Sequence, residues 1–276
     1  QGRRRRHRQR GGRAKHQHSA LSSSPRSVSV VNWNPGMRLL LSEIDEASTK
    51  GTRVTVLVKP KHAELLACQL KGGRLRNIRV RTVVGAPVSK GDLREAGVGA
   101  AQAVVLLQDS KEQTEQEGTS LDAQALTALV LSQEIIGEER ASGRGRQPAP
   151  QLVAEFHSPR AMDLARRIAG PGETAGAGWE WRDVDLFIPE ELDSGVLVQC
   201  ALDPLLAHVY DDLLRPQGWE VFLHDVADYG LGSASEQLCA SPGNGQRVSF
   251  LDISTRVQQS GRIAIGVQTR GLAAGA

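Results

Sequence analysis

The stretch SVSVVNWNPGMRLLL, from Ser27 to Leu41, constrains the fold more than any other part of the chain. An apolar run rich in β-branched residues meets turn formers between Asn32 and Gly36, and a helical pattern follows at once. Strand, tight turn and helix in that order open a dinucleotide-binding βαβ unit. In G-x-G-x-x-G the glycines serve the turn, the close approach of backbone to pyrophosphate, and helix–strand packing. Those positions hold Asn32, Asn34 and Met37 here, with Gly36 the only glycine of the turn. Asn tolerates the left-handed conformation, so Asn32 can still make the bend. Met37 fills space that a glycine would leave open. The scaffold reads as Rossmann-like with its dinucleotide site lost or changed.

Beyond this segment, strand and helix patterns alternate. Strands are expected at Ser27–Trp33, Arg53–Val58, Ile78–Val84, Ala101–Leu107, Leu152–Phe156 and Val184–Ile188. Helices are expected from Asn34 (as cap, with Pro35 at the first position) to Ala47, and at His62–Leu70, Ser89–Ala96, Ser120–Glu139 and Pro159–Ile168. Such alternation predicts an α/β fold, a parallel sheet with helices on both faces. The domain division expected is a basic tail over 1–26, the Rossmann-like unit over 27–190, helices over 191–226, and part of a C-terminal subdomain over 227–276.

The segment Leu192–Arg215 departs from the alternation. Its apolar residues recur at helical spacing, yet Asp203-Pro204 falls in the middle, and proline suits a helix start rather than an interior. Two helices joined at Asp203, Ser194–Leu202 and Pro204–Leu214, resolve the conflict. Leu205, Leu206, Val209 and Leu213 then share one face of the second helix, an interface for another domain.

Charge is unevenly spread. Residues 1–26 hold nine Lys/Arg and no acid, so the remainder carries 25 bases against 31 acids. The Arg-rich tail reads as a solvated linker, an anion-binding patch or an acid-poor transit segment. No aromatic residue interleaves its arginines, which argues against nucleic acid as a partner. Cys68, Cys200 and Cys239 form no disulfide framework and no paired metal motif. Cys68 and Cys200 lie in helical patterns and are expected to be buried thiols in a reducing compartment. No run approaches the roughly 18–20 apolar residues of a membrane span.

Motifs carry a resemblance to a known family. Asn32-Trp33-x-Pro35-Gly36-x-Arg38 opening the unit is similar to the signature that opens the gating domains of CASTOR/POLLUX channels. Val198–Ala207, VQCALDPLLA, resembles that family's V/I-Q-C-A-L-x-P-x-L-A segment, and Ser120–Leu126 its S-D-A-R-A-type run. The resemblance covers about residues 27–225, and Asn32 departs from it where the family has glycine. It implies an RCK domain, a ring-forming regulator attached behind a transmembrane pore that passes cations such as potassium. Further RCK domains in a homo-oligomeric ring are the implied partners, with no small-molecule substrate. The membrane implied is the nuclear envelope or that of a plastid. The helices at Ser194–Leu214 are then the pairing element. Arg247–Arg270 is expected to give a strand VSFLDI, a short helix and a strand RIAIGV, the start of a C-terminal subdomain. Its end at Ala276, and a first residue that is Gln, point to a piece of a longer protein.

Catalytic motifs are missing, and the chain is not read as an enzyme. No P-loop or G-x-S-x-G occurs, and of the four histidines outside the tail, His62, His157, His208 and His224, none has metal-ligand spacing to another His or Cys. A ligand crevice is expected at the carboxyl ends of the strands, lined by Asn32, Trp33, Asn34, Lys59, Gln108, Asp109 and Glu155. Asp109, Glu112 and Asp122 form an acidic set after the fourth strand that suits Ca²⁺, an ion with six to eight oxygen ligands. A polar solvated loop is the plainer account of the same residues. A nicotinamide-dependent oxidoreductase is the alternative function, opposed by the missing glycines and by Lys59 where such proteins carry an acid.

Overall fold

The computed structural model describes residues 26–71, 75–109, 121–143, 150–169, 184–214, 221, 224, 226–231 and 248–267. The chain divides into two units, Gln1–Pro216 and Gln217–Ala276.

In the first unit, β1 (Ser27–Val31), α1 (Met37–Ala47), β2 (Thr52–Val58), α2 (Pro60–Lys71), β3 (Ile78–Val84), α3 (Lys90–Glu95), β4 (Ala103–Leu106), α4 (Leu121–Ala141), β5 (Gln151–Glu155), α5 (Pro159–Ala169) and β6 (Val184–Phe187) follow in order. The six strands form one sheet in the order β3-β2-β1-β4-β5-β6, every pairing parallel. This is the Rossmann strand order, with its switch point between β1 and β4.

Alternation along the strands explains why both faces are covered. Val30, Val54, Val56 and Val58 pack with Met37, Leu41 and Leu66, so α1 and α2 cover one face. Val31, Leu57, Val104 and Leu106 pack with Leu93, Leu129, Ile136 and Ala165, so α3, α4 and α5 cover the other. Neighbouring residues such as Val30 and Val31 serve opposite cores, as the two-residue period of a strand requires.

The first turn corrects one expectation. Helix α1 begins at Met37 behind Gly36, with no side-chain cap. Asn34 instead accepts at its main-chain oxygen from Met37 N (3.2 Å), so Asn34, Pro35 and Gly36 form a separate turn. Cys68 is exposed and Cys200 half-exposed, contrary to expectation. On α2 the inward residues are His62 and Leu66, four apart. Cys68, two positions beyond Leu66, is turned roughly 200° away from that face. Cys239 lies outside the described residues.

After β6 come α6 (Pro189–Leu202) and α7 (Leu206–Leu214), the hairpin expected from Asp203-Pro204. Helix α6 starts earlier than Ser194 because Pro189 occupies its first turn and Glu190 and Glu191 face its positive end. Asp203 makes the corner: Oδ1 accepts from Leu205 N (3.0 Å) and its carbonyl from Leu206 N (3.0 Å).

In the second unit, α8 (Phe250–Gln259) replaces the expected strand VSFLDI. Ser249 and Asp252 close a reciprocal capping box, and Ile253 and Val257 are buried four residues apart. Helical spacing thus overrides the β-propensity of the Val-Ser-Phe-Leu run. Residues 262–267, expected as a strand, have no regular structure.

Asp45 anchors the edge of the first unit. Its buried carboxylate accepts from the main-chain N–H of Arg76 (2.9 Å), Asn77 (2.7 Å) and Ile78 (2.8 Å), tying α1 to the start of β3. Burial raises the pKa of this carboxyl, but the three donors outweigh it and the net shift is downward. The native state therefore gains from the ionised form above the unfolded carboxylate value. That gain is lost as pH falls through the depressed native value. Asp45→Ala is expected to lower stability to urea by about 2 kcal/mol at neutral pH. The gap to wild type should close in acid, in denaturation curves taken from pH 7 downward.

Candidate functional site

The carboxyl ends of β1, β2, β4 and β5 meet at the switch point, and four side-chain arrangements fill it. The first is Asn32. It adopts φ +75°, the one non-glycine residue with positive φ among the described residues. Its N–H donates to Leu57 O (2.8 Å) and its Nδ2 to Leu107 O (3.3 Å). The expected left-handed bend is present without a glycine.

The second is a ring stack with a close polar contact. Trp33, 2% exposed, packs its ring on His62 with centroids 4.5 Å apart and planes at 29°. His62 Nε2 lies 2.8 Å from Oδ2 of Asp109, whose side chain is fully buried, and Lys61 Nζ lies 4.0 Å from the same oxygen. The crevice of β1 and β2, where a dinucleotide would approach, is thus closed by an indole on an imidazole. Met37, completely buried, fills the space beneath.

The third centres on Asp122 at the start of α4. Oδ1 accepts from Gln108 Nε2 (2.9 Å) and His157 N (2.8 Å), and Oδ2 from Ser158 N (3.1 Å). Burial raises its pKa, and these donors more than compensate, so the carboxyl is held low. It sits where α5 begins, and its negative charge is favoured by the free N–H groups there. The fourth is Glu155, which accepts from Gln108 N (2.9 Å). Burial raises its pKa, with Glu190 adding to the rise and Gln108 N and His157 opposing it. One residue, Gln108, therefore links two carboxylates of opposite tendency.

Between these groups lies a narrow pocket lined in part by Asn32, Gln108, Asp109 and Gln124, with room for about one water molecule. Lys59 donates to Gln124 Oε1 (3.0 Å) at this pocket. Of the expected crevice residues, Asn32, Gln108 and Asp109 meet there, and Lys59 reaches it through Gln124. Glu155 is joined through Gln108. Trp33 stands apart on His62, and Asn34 belongs to the turn after β1.

The acidic set divides. Asp109 faces α2 through His62, Asp122 faces α5, and Glu112 lies outside the described residues. Among the described residues, no group of three or more His, Cys, Asp or Glu side chains could hold a metal ion. The sequence reading missed His62 and Gln124. The i, i+4 pairing of His62 with Leu66 was the available signal for an inward histidine.

Comparison with known proteins adds little to this geometry. No family model matches the chain, and no curated protein matches it. Among solved structures, a human SLO3 gating ring is similar over 72% of this chain, with 13% identity and a TM-score of 0.39. The chain spans 31% of the length of that structure. The fold assignment rests on the strand order itself. No described helix is long and apolar enough to cross a membrane.

Two outcomes follow from the closed crevice. Calorimetric titration with NADH should give no stoichiometric binding; a tight site would mean that Trp33 and His62 swing aside. Replacing His62 by Leu removes the imidazole from beside the buried Asp109 carboxylate and is expected to cost about 2 kcal/mol. In a double-mutant cycle, adding Asp109→Leu should recover much of that loss.

Proposed function

We propose that this chain is a regulatory module of a cation channel of the CASTOR/POLLUX type, an RCK-like domain whose copies associate and bias a pore. The observation that carries the reading is the hairpin α6–α7. It follows a complete six-stranded Rossmann-like sheet, and none of its described residues is buried. Leu192, Leu197, Val198, Leu202, Leu205 and Leu214 are each more than half exposed. Leu206, expected among the interface residues, is half-buried. Apolar surface on this scale marks an interaction site, and it is the element that the VQCALDPLLA resemblance assigns to domain pairing.

The closed dinucleotide crevice favours this reading over an oxidoreductase. A regulator needs two states with different affinity for a ligand or a partner, and it needs no hydride acceptor. Calcium held by Asp109 and Asp122 would require both carboxylates to leave the contacts described above. The reading proposed here does not depend on that ion.

Ionic currents from the complete gene product, recorded in planar bilayers, provide the test. Leu206→Asp is expected to uncouple gating, leaving conductance unchanged and shifting open probability. Identical open probability in the variant, or a gene product that carries no current, would refute the reading.

A further inference from the structure

The amino-terminal ends of β1, β2 and β3, at the end of the sheet away from the crevice, carry a row of basic side chains. Arg53 is the second residue of β2 and Arg79 the second of β3, and the two lie in register across the parallel pair. Both are exposed on one face of the sheet, with their backbones about 5 Å apart. Lys50 and Arg76, also exposed, stand two residues ahead of β2 and β3, and Arg26 immediately precedes β1. The carbonyl of Arg26 accepts from Arg53 N (2.8 Å). Asp45, the acid bonded to this end of β3, is buried and turned onto main-chain N–H groups. Glu46 is the exposed acid in the last turn of α1.

Like charges directly opposite on neighbouring strands oppose folding, so stability does not explain the row. Arg53 and Arg79 form no ion pair or side-chain hydrogen bond with another described residue. Elsewhere in the first unit Arg81, Lys90, Arg94 and Arg166 each meet a carboxylate, and Lys61 lies beside Asp109. Arg160 and Arg167 on α5 form no such pair either, yet they stand two turns apart with Asp163 between them. The row has a further source of charge. Residues 1–26, with nine Lys/Arg and no acid, run straight into β1 beside Arg53.

The surroundings of the row select its partner. Within residues 42–58 and 75–83 no large hydrophobic side chain is exposed, so the apolar anchors of a protein interface are missing. The row lies on a sheet and not on a helix or two-stranded ribbon that could enter a DNA groove. Residues 1–26 hold no Phe, Trp or Tyr on which bases could stack. We infer that this end of the sheet, together with residues 1–26, docks on a bilayer surface bearing anionic lipid headgroups. Attraction to such a surface needs neither groove nor anchor, and each base near it adds a share. The tail supplies most of the charge, while Arg53 and Arg79, fixed by the sheet, set which end of the domain faces the lipid. Such docking requires no pore and is independent of the channel reading.

Flotation of the full chain with lipid vesicles tests it. Phosphatidylcholine vesicles with about 30% phosphatidylserine should carry the protein at about 0.1 M salt, and plain phosphatidylcholine should not. Raising the salt to about 1 M should release it. Arg53→Gln/Arg79→Gln and, in the turns, Lys50→Gln/Arg76→Gln should each weaken binding roughly tenfold. Arg160→Gln/Arg167→Gln should leave it unchanged. Arg53→Gln/Arg79→Gln removes a like-charge pair, so its urea midpoint should equal or exceed that of wild type, which separates lost docking from lost folding. Equal partition onto both kinds of vesicle overturns the proposal. So does wild-type affinity in both weakened variants, the signature of a tail acting alone. Duplex DNA that binds more tightly than the anionic vesicles at the same salt, and is lost in those variants while vesicle binding persists, would assign the surface to nucleic acid instead.

Discussion

Asn32 fastens the carboxyl end of the central strand. Its N–H bonds to the carbonyl of Leu57 at the end of β2, and its side chain bonds to the carbonyl of Leu107 just after β4. One residue thus ties the first strand to both neighbours at the point where the strand order reverses. It can do so because its φ of +75° swings the chain out of the strand while the amide stays behind. Glycine would make the same bend but would leave Leu107 O without this donor. A glycine and this chain's asparagine would therefore solve the backbone problem alike and the hydrogen-bond problem differently.

That exchange shapes everything at the mouth of the sheet. With no glycine backbone to approach, the space is taken by side chains: Met37 below, Trp33 on His62 above, and His62 against Asp109. A buried carboxylate beside an imidazole is costly to separate, and the cost of stranding either partner exceeds the worth of the pair. The pair therefore works as a closure of the crevice more than as a source of net stability. On the other side of Gln108 the electrostatics diverge, since Asp122 is held ionised by three donors while burial raises Glu155. Environments that separate two carboxylates in this way are common where protons are moved. Here both are bound to one glutamine, with no reacting group described between them.

How much of this was legible beforehand differs by element. The six strands and the helices between them were readable because each carries its own period and its own turn formers. The bend at Asn32, the filling by Met37 and the break at Asp203-Pro204 were also visible, each being a local consequence of one residue's chemistry. What escaped was tertiary. Asp109 and Asp122 are separated in sequence by a polar, acidic stretch and look like one cluster, yet they face opposite helices. Their partners His62, His157 and Ser158 are distant in sequence. The strand expected at VSFLDI failed for a local reason, because Ser249-x-x-Asp252 is a capping box and outweighs a short β-prone run.

The hairpin shows why exposure and charge have to be read together. A helix pair with large aliphatic side chains open to water is an aggregation liability unless something restricts what may cover it. Six acids without a single base impose that restriction, since they repel a second hairpin and tolerate only a basic, apolar surface. The body of the chain is net acidic once residues 1–26 are set aside, with 25 bases against 31 acids. Helix α5 provides such surface through Arg160, Arg166 and Arg167 beside Leu164 and Ile168, although Asp163 already engages Arg166 (3.3 Å). Arg160 and Arg167 are left to face outward. The same helix therefore carries basic and apolar surface side by side, the opposite in charge of the hairpin.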